Sequence, residues 1–203
     1  ESTRPGAPAI DEATEIGRVL PLIEALVRNG VTCPISIDTQ KAAVAQAACD
    51  AGATIINDVS ALGDPDMGQA AASTGALLVV MHMRGIPATM QSEPIHYEDV
   101  TATVTSYLED RVQCALESGI SRDRIIIDPG IGFGKETPHN LSLLKHLEKL
   151  RSLGYPILFG PSRKRFLGEV TGRAVDDRDR ATATACAAAV LAGAEILRVH
   201  DIE

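Results

Sequence analysis

The sequence is poor in aromatic residues: Phe, Trp and Tyr make up 3% of its 203 residues, and tryptophan is absent. Proteins that bind single-stranded nucleic acids stack bases on such rings, so this class is disfavoured. No run of about 18 apolar residues occurs, and therefore no membrane span is expected. Asp and Glu outnumber Lys and Arg by 27 to 19, and the net charge of −8 disfavours a general surface for nucleic acids or anionic lipids.

Cysteine is also scarce. The four cysteines, Cys33, Cys49, Cys114 and Cys186, are widely spaced, with no C-x-x-C pair and no histidine at ligand spacing. We expect four reduced thiols in or near the core, because free cysteine is among the most buried residue types. Reduced thiols favour a reducing compartment such as the cytoplasm.

The remaining sequence alternates short β-branched runs with segments of helical character. Strands are predicted at 34–38, 54–58, 77–81, 125–128, 156–160 and 196–200. Helices are predicted at 11–29, 40–50, 70–73, 97–118 and 181–191, and along one face formed by Leu141, Leu144, Leu147 and Leu150. Pro21 should kink or split the first helix. This alternation, with nearly continuous apolar strands, predicts an α/β fold in which helices cover a parallel sheet.

Two architectures compete for this pattern, an open doubly wound sheet and a closed (β/α)8 barrel. The first helix lacks a strand of its own and the last strand lacks a helix, which fits a barrel cut at both ends. We expect one domain over residues 1–203, with the charged run 175–180 as a solvated connection.

Polar residues stand at the carboxyl end of almost every predicted strand, where parallel α/β folds bind ligands. They are Asp38, Asn57, His82, Asp128, Ser162 to Lys164, Arg198 and His200. Asp38 and Asn57, taken singly, are each also compatible with a helix cap. Their occurrence at successive strand ends predicts a common site.

Arg198 and His200 are two residues apart, so their side chains share a face of the last strand. A cation that points into a barrel needs a counter-charge. The sequence leaves open whether that partner is a bound anion, Asp201 or an upstream carboxylate.

The run 128–135, DPGIGFGK, has three alternate glycines after a strand. Its spacing departs from the dinucleotide motif G-x-G-x-x-G, so we interpret it as backbone brought close to a flat ligand, with Phe133 as a wall. A carboxylate can accept two parallel N–H bonds from the 2-amino-4-oxo edge of a pterin or guanine. Lys164 would lie against such a ring.

Seven motifs resemble, in order, those of the dihydropteroate synthase family. They are 1–6 (ESTRPG), 37–39 (IDT), 56–58 (IND), 81–85 (MHMRG), 128–135 (DPGIGFGK), 162–164 (SRK) and 198–201 (RVHD). The resemblance implies a TIM barrel that is incomplete here, with about strands three to eight present. It also implies condensation of (7,8-dihydropterin-6-yl)methyl diphosphate with 4-aminobenzoate, which gives 7,8-dihydropteroate and diphosphate in folate biosynthesis.

The resemblance also implies a role for each matching residue. Asp128, Asn57, Asp38 and Met81 would surround the pterin, and Arg198 and His200 would hold the diphosphate. Lys164 would lie between the pterin and the aminobenzoate, which Phe133, Ser162 and Gly160 would border, while Thr3 and Arg4 would belong to a loop over the site. Asp38, Lys164, Arg198 and His200 would be the catalytic residues.

The cofactor implied is Mg²⁺, and its expected ligand belongs to a first-strand segment that this sequence does not contain. A homodimer is implied as well. Arg165 stands where many members carry serine. We expect the 203-residue chain alone to be inactive and unstable, because six strands leave sheet edges uncovered. Two other functions remain open, a methyltetrahydrofolate:corrinoid methyltransferase type of pterin-binding barrel and a non-catalytic barrel module.

Overall fold

The computed structural model describes residues 10–85, 90 and 95–202. Over these residues, eight helices and six strands follow one another in the order α1 Glu12–Arg28, β1 Ser36–Asp38, α2 Ala42–Asp50, β2 Ile55–Asp58, α3 Met67–Thr74, β3 Leu77–Met81, α4 Val100–Glu117, β4 Ile125–Asp128, α5 Thr137–Lys145, α6 Leu147–Arg151, β5 Leu158–Phe159, α7 Arg165–Thr171, α8 Asp179–Leu191 and β6 Ile196–Leu197. Two short 3-10 turns, Arg122–Arg124 and Val175–Asp177, precede β4 and α8. None of the described helices is long and apolar enough to cross a membrane.

The strands are parallel, and neighbours in the chain are neighbours in space. β1 to β4 form one hydrogen-bonded series, and β5 pairs with β6. A bridge between Ile127 and Ile157 joins the two groups. A doubly wound sheet would reverse its strand order at a switch point, whereas this order advances in one direction throughout. The winding is that of a (β/α)8 barrel, which has eight strands when closed; the described residues contain six.

The sheet is strongly curved. In a flat sheet, β1 and β6 would lie about 24 Å apart, because neighbouring strands are about 4.8 Å apart. The Arg198 guanidinium, just after β6, nevertheless forms an ion pair with Asp38 at the end of β1. An arginine side chain can span that gap only if the sheet bends round toward closure.

The two faces of the strands bury different residues. The outward face packs against the helices in the main core, which includes Ile56, Leu78, Ile127, Ile157 and Phe159. The inward face forms a smaller apolar cluster of Val79, Ile126 and Leu158. At the carboxyl end of the inward face, Asp38, Asn57 and Asp128 are polar, and they line the site described below together with Met81.

Helix α1 is not split at Pro21, which was one of the two outcomes, a kink or a split, expected from the sequence. It runs unbroken over Glu12–Arg28, with Asp11 capping the Thr14 N–H at 2.8 Å. A proline removes one backbone hydrogen bond. The cap and the burial of Ile23, 4% exposed, hold the rest of the helix together.

The predicted leucine face of residues 141–150 is found only in part: Leu147 and Leu150 are buried and Leu144 packs against the core, but Leu141 does not. Two helices, α5 and α6, meet at His146, and the buried leucines are Leu143, Leu147 and Leu150. Leu141 is 42% exposed. Steps of three residues drift by about 60° each round a helix of 3.6 residues per turn, so only alternating steps of four and three stay on one face.

Helix α7 was not expected, since its seven residues are too few for an apolar periodicity to show. The prediction of four thiols in or near the core fails at Cys33, which is exposed in the turn between α1 and β1. Cys49 and Cys114 are half-buried, Cys186 is buried, and all four are free.

Candidate functional site

The ends of β1, β2 and β6 are joined by polar contacts around Asp38. Asp38 and Asn57 are register partners in neighbouring strands, and the Asn57 amide nitrogen donates to Asp38 Oδ1 at 2.8 Å. Arg198 donates to Asp38 Oδ2. Of the partners considered for Arg198, the structure therefore shows the upstream carboxylate.

The side-chain oxygen of Asn57 receives no hydrogen bond from the described residues. The residue is 4% exposed, and its side-chain oxygen Oδ1 is buried with no hydrogen-bond partner among the described residues. A buried polar atom without a partner is costly unless a ligand or water satisfies it. The Asn57 oxygen is thus suited to accept a hydrogen bond from an N–H group of a ligand.

Asp128, at the end of β4, is a buried carboxylate that is 7% exposed. Its Oδ1 accepts from the Gly130 N–H at 2.7 Å, while its backbone oxygen accepts from the His82 N–H at 3.0 Å. Burial raises the pKa of Asp128, and the Lys164 ammonium and the Gly130 N–H partly offset this rise. Oδ2 is left for a ligand with paired N–H donors.

Lys164 follows β5 and reaches across to the loop after β4. Its ammonium donates to the Ile131 carbonyl and lies 4.8 Å from the centre of the Phe133 ring. Burial lowers the pKa of Lys164 to about 8, against the opposing effect of Asp128. Gly160 separates this ammonium from Arg198, since a Cβ there would lie 4.0 Å from Lys164 Nζ and 3.7 Å from Arg198 Cβ.

Ser162 and His200 form a second pair at the same end of the sheet. Ser162 Oγ lies 2.7 Å from His200 Nδ1 and accepts from the His200 backbone N–H at 3.1 Å. Arg198 and His200 were predicted to share a face of the last strand, but β6 ends at Leu197, and the two residues have different partners. Both are exposed, and their donors are accessible to an anion.

The structure brings most of the predicted residues together. Contacts lead from Asn57 through Asp38, Arg198, Gly160 and Lys164 to Phe133, and Met81, 2% exposed, is the register partner of Asp128. Thr3 and Arg4 lie outside the described residues.

Lys135 has a structural role that is not predicted from the sequence. Lys135 is 1% exposed, and its Nζ lies 2.8 Å from His82 Nδ1, 2.9 Å from the Gly130 oxygen and 3.1 Å from the Phe133 oxygen. Burial lowers the pKa of Lys135 well below its usual value and that of His82 to about 3, so the His82 ring is neutral. Position 135 closes the glycine-rich run, but a fully buried lysine is too rare to expect from sequence.

Two further side chains hold the loop after β4. Asn140 Oδ1 accepts from the Gly132 N–H at 2.8 Å, and the Tyr97 hydroxyl donates to the Gly134 oxygen at 3.0 Å. At Gly130, with φ 67°, a Cβ would lie 1.9 Å from the His82 oxygen. The close approach expected of these glycines is here an approach to protein atoms.

The charged run 175–180 is more than the solvated connection predicted. The Asp179 carboxylate accepts from Arg163 Nε at 2.7 Å and Nη2 at 2.8 Å, and Arg178 donates to the Arg163 oxygen at 3.0 Å. Partners 15 and 16 residues upstream cannot be seen in a local charge pattern.

A family model, the sequences of relatives and solved structures all match this chain. The family model "Pterin binding enzyme" matches residues 1–200. Dihydropteroate synthase of Haemophilus influenzae is 43% identical over 202 residues, which are 100% of this chain and 73% of that protein.

Two crystal structures superpose closely. Yersinia pestis dihydropteroate synthase in a sulfonamide drug complex has a TM-score of 0.95 and 38% identity, covering 100% of this chain and 73% of its own. Xanthomonas albilineans dihydropteroate synthase with 4-aminobenzoic acid has a TM-score of 0.93 and 46% identity, covering 100% and 71%.

Proposed function

This chain belongs to the pterin binding enzyme family, and from that premise we infer that it acts as a dihydropteroate synthase. Relatives of that name match it over its whole length, and the matching structures share its barrel winding. The reaction joins (7,8-dihydropterin-6-yl)methyl diphosphate to 4-aminobenzoate. The products are 7,8-dihydropteroate and diphosphate.

The observation that carries the function is the pairing of a buried carboxylate with a buried, unpartnered amide oxygen. Asp128 would accept the 2-amino and ring N–H groups of the pterin, while Asn57 Oδ1 would accept a further N–H. Asp38 orients Asn57 by accepting from its amide nitrogen. Met81 supplies an apolar neighbour. This arrangement suits a flat heterocycle with donors along one edge.

The bond-breaking step needs positive charge beside the leaving group. In an SN1-like reaction, the methylene C–O bond breaks and its electron pair leaves with the diphosphate oxygen. Arg198, His200 and the Lys164 ammonium would stabilise the negative charge that develops on that oxygen. The carboxylates Asp128 and Asp38 would favour the cation delocalised over the methylene carbon and the dihydropterin ring.

The bond-forming step depends mainly on positioning. The neutral arylamine nitrogen attacks the methylene carbon with its lone pair, and it then loses a proton to water. Phe133, Ser162, Gly160 and Lys164 would border the ring of 4-aminobenzoate, between the β4 and β5 loops. The Xanthomonas albilineans synthase was crystallised with that substrate.

Magnesium is also part of the proposal, but the described residues do not form a site for it. They contain no group of three His, Cys, Asp or Glu side chains that could hold a metal ion. No step above therefore depends on it. Four free cysteines support a cytoplasmic location, because thiols stay reduced there. The proposal also includes a homodimer, which rests on the family resemblance.

Turnover by the intact protein tests the proposed function. Supplied with the dihydropterin diphosphate and 4-aminobenzoate, it should release one diphosphate for each dihydropteroate formed. Methyl transfer from methyltetrahydrofolate without diphosphate release would instead indicate a corrinoid methyltransferase. Pterin binding without either reaction would indicate a non-catalytic module.

A further inference from the structure

Arg163 has an unusual backbone for its residue type. Its φ is 54°, in the left-handed region that glycine adopts easily and that a side chain with a Cβ disfavours. Such a conformation persists only where surrounding contacts determine it. Arg163 stands between Ser162 and Lys164, so its conformation sets the direction of both neighbours.

The contacts that hold Arg163 come from the start of α8. Its guanidinium donates twice to Asp179, at 2.7 and 2.8 Å, and its backbone N–H donates to Thr182 Oγ1 at 3.1 Å. Its carbonyl accepts from Arg178 Nη1 at 3.0 Å. All these contacts come from one segment, which we call the α8 clamp (Arg178, Asp179 and Thr182). The clamp binds the backbone N–H, the backbone carbonyl and the side chain of Arg163.

Helix α7 leaves room for this arrangement. At Gly168, a Cβ would lie 2.2 Å from Arg178 Nη2, so the guanidinium occupies the space that a side chain would fill. Thr182 is 5% exposed. The clamp is therefore a packed contact between α7, α8 and the loop after β5, and not a surface ion pair alone.

The effect of the clamp extends to the site through both neighbours of Arg163. Ser162 contacts His200, and Lys164 reaches the Ile131 carbonyl and the Phe133 ring. The pKa of Asp179 is lowered chiefly by the hydrogen bonds from Arg163, and His200 is near enough to add to this. A shift of the Arg163 backbone would move both pairs relative to Asp128, which is held separately on β4.

We propose that Arg178, Asp179 and Thr182 are positioning residues of the synthase: they hold Arg163 in its left-handed conformation and so align Ser162 and Lys164 with the substrates. The proposal rests on the proposed function. It concerns the aminobenzoate side of the site more than the pterin side. None of the three residues needs to contact a substrate.

The test compares Asp179→Ala with Asp177→Ala in the intact protein. Asp177 is a matched control because it forms an ion pair with Arg173 at 2.5 Å in the same segment and forms neither a hydrogen bond nor an ion pair with residues 162–164. For Asp179→Ala, kcat/KM should fall about 10-fold, since small displacements of positioned groups are costly in rate. The KM for 4-aminobenzoate should rise more than that for the pterin diphosphate. Asp177→Ala should stay within about 2-fold of wild type.

Two results would overturn the proposal. One is equal kinetics for the two variants. The other is a loss in Asp179→Ala that falls equally on both substrates and tracks the fraction of folded protein. If Asp179→Ala does not fold, Asp179→Asn, which keeps one acceptor oxygen, should show the same KM pattern at smaller amplitude.

Wild-type turnover, measured first, separates this question from the proposed function. If wild type releases no diphosphate, the proposed function fails. The positioning of Ser162 and Lys164 is then tested by binding calorimetry with 4-aminobenzoate and the pterin diphosphate. A selective weakening of 4-aminobenzoate in Asp179→Ala would still support the clamp, and equal affinities in both variants would refute it.

Discussion

The loops after β4 and β5 both carry groups of the site, but they are held in different ways. The β4 loop is fixed by Lys135 and Asn140, which are 1% and 2% exposed. The β5 loop is fixed largely by Arg163 and Asp179, whose side chains are 34% and 39% exposed. Buried contacts are shielded from water and salt, whereas partly exposed ion pairs are screened. The β4 loop should therefore be the more rigid of the two.

The backbones of the loops differ in the same sense. The β4 loop places glycine at its left-handed positions, Gly130, Gly132 and Gly134, and the β5 loop places Arg163 at such a position. Glycine adopts this conformation at little cost, while arginine needs outside support. The β4 loop carries its shape in its own sequence. The β5 loop takes its shape from α8, and is therefore open to change from a distance.

The largest effect expected concerns stability at Lys135. Lys135→Met would leave buried carbonyls at Gly130 and Phe133 without their donor. The free energy of unfolding should fall by about 2–4 kcal/mol, because unsatisfied buried acceptors are expensive. Urea unfolding of the intact protein measures this, with Lys145→Met, on the exposed side of α5, as control. If Lys135→Met lowers the free energy of unfolding no more than Lys145→Met does, buried contacts of Lys135 do not distinguish the β4 loop from the β5 loop.

A smaller effect is expected for pterin affinity at Asp128. In Asp128→Asn, the side-chain oxygen can still accept from the Gly130 N–H, so the turn should survive. The amide nitrogen then faces the ligand's donors, and pterin affinity should drop about 10- to 150-fold, the usual worth of a hydrogen bond to a charged group. Isothermal calorimetry is the measurement. Unchanged affinity would show that Asp128 does not bind the pterin.

The smallest effect expected is a pH dependence at Lys164. Because its pKa is lowered to about 8, the ammonium is present below that pH and is lost above it. The value of kcat/KM should therefore decline as pH rises through about 8. In Lys164→Arg, which stays charged, any remaining activity should lack this decline. A flat wild-type profile up to pH 9.5 would show that the charge of Lys164 is not used.

Much of the site could be predicted from the ends of the strands. Polar residues such as Asp38, Asn57 and Asp128 interrupt apolar runs, and parallel strands bring their carboxyl ends to one edge. The strand order was not predictable in this way. Only the contact between Asp38 and Arg198, 160 residues apart, shows how far the sheet curves.

The supports of the site were not predictable, for two physical reasons. Lys135 is a charged residue in a buried position, which contradicts the usual preference of its side chain for water. Asp179 lies in a run of alternating charges that looks solvated, and its partner is 16 residues away. Lys135 likewise reaches His82, 53 residues upstream, in addition to the nearby carbonyls of Gly130 and Phe133. Local composition does not indicate either of these distant partners.

The sequential order of the strands also bears on how such a protein can vary. Each strand-and-helix unit supplies its own residues to the site, and neighbouring units are joined by strand pairing and by apolar packing. A change in one unit can therefore remodel one substrate's surroundings while the opposite wall keeps its shape. Single substitutions can therefore change the ligand preference of this architecture while the rest of the site remains intact.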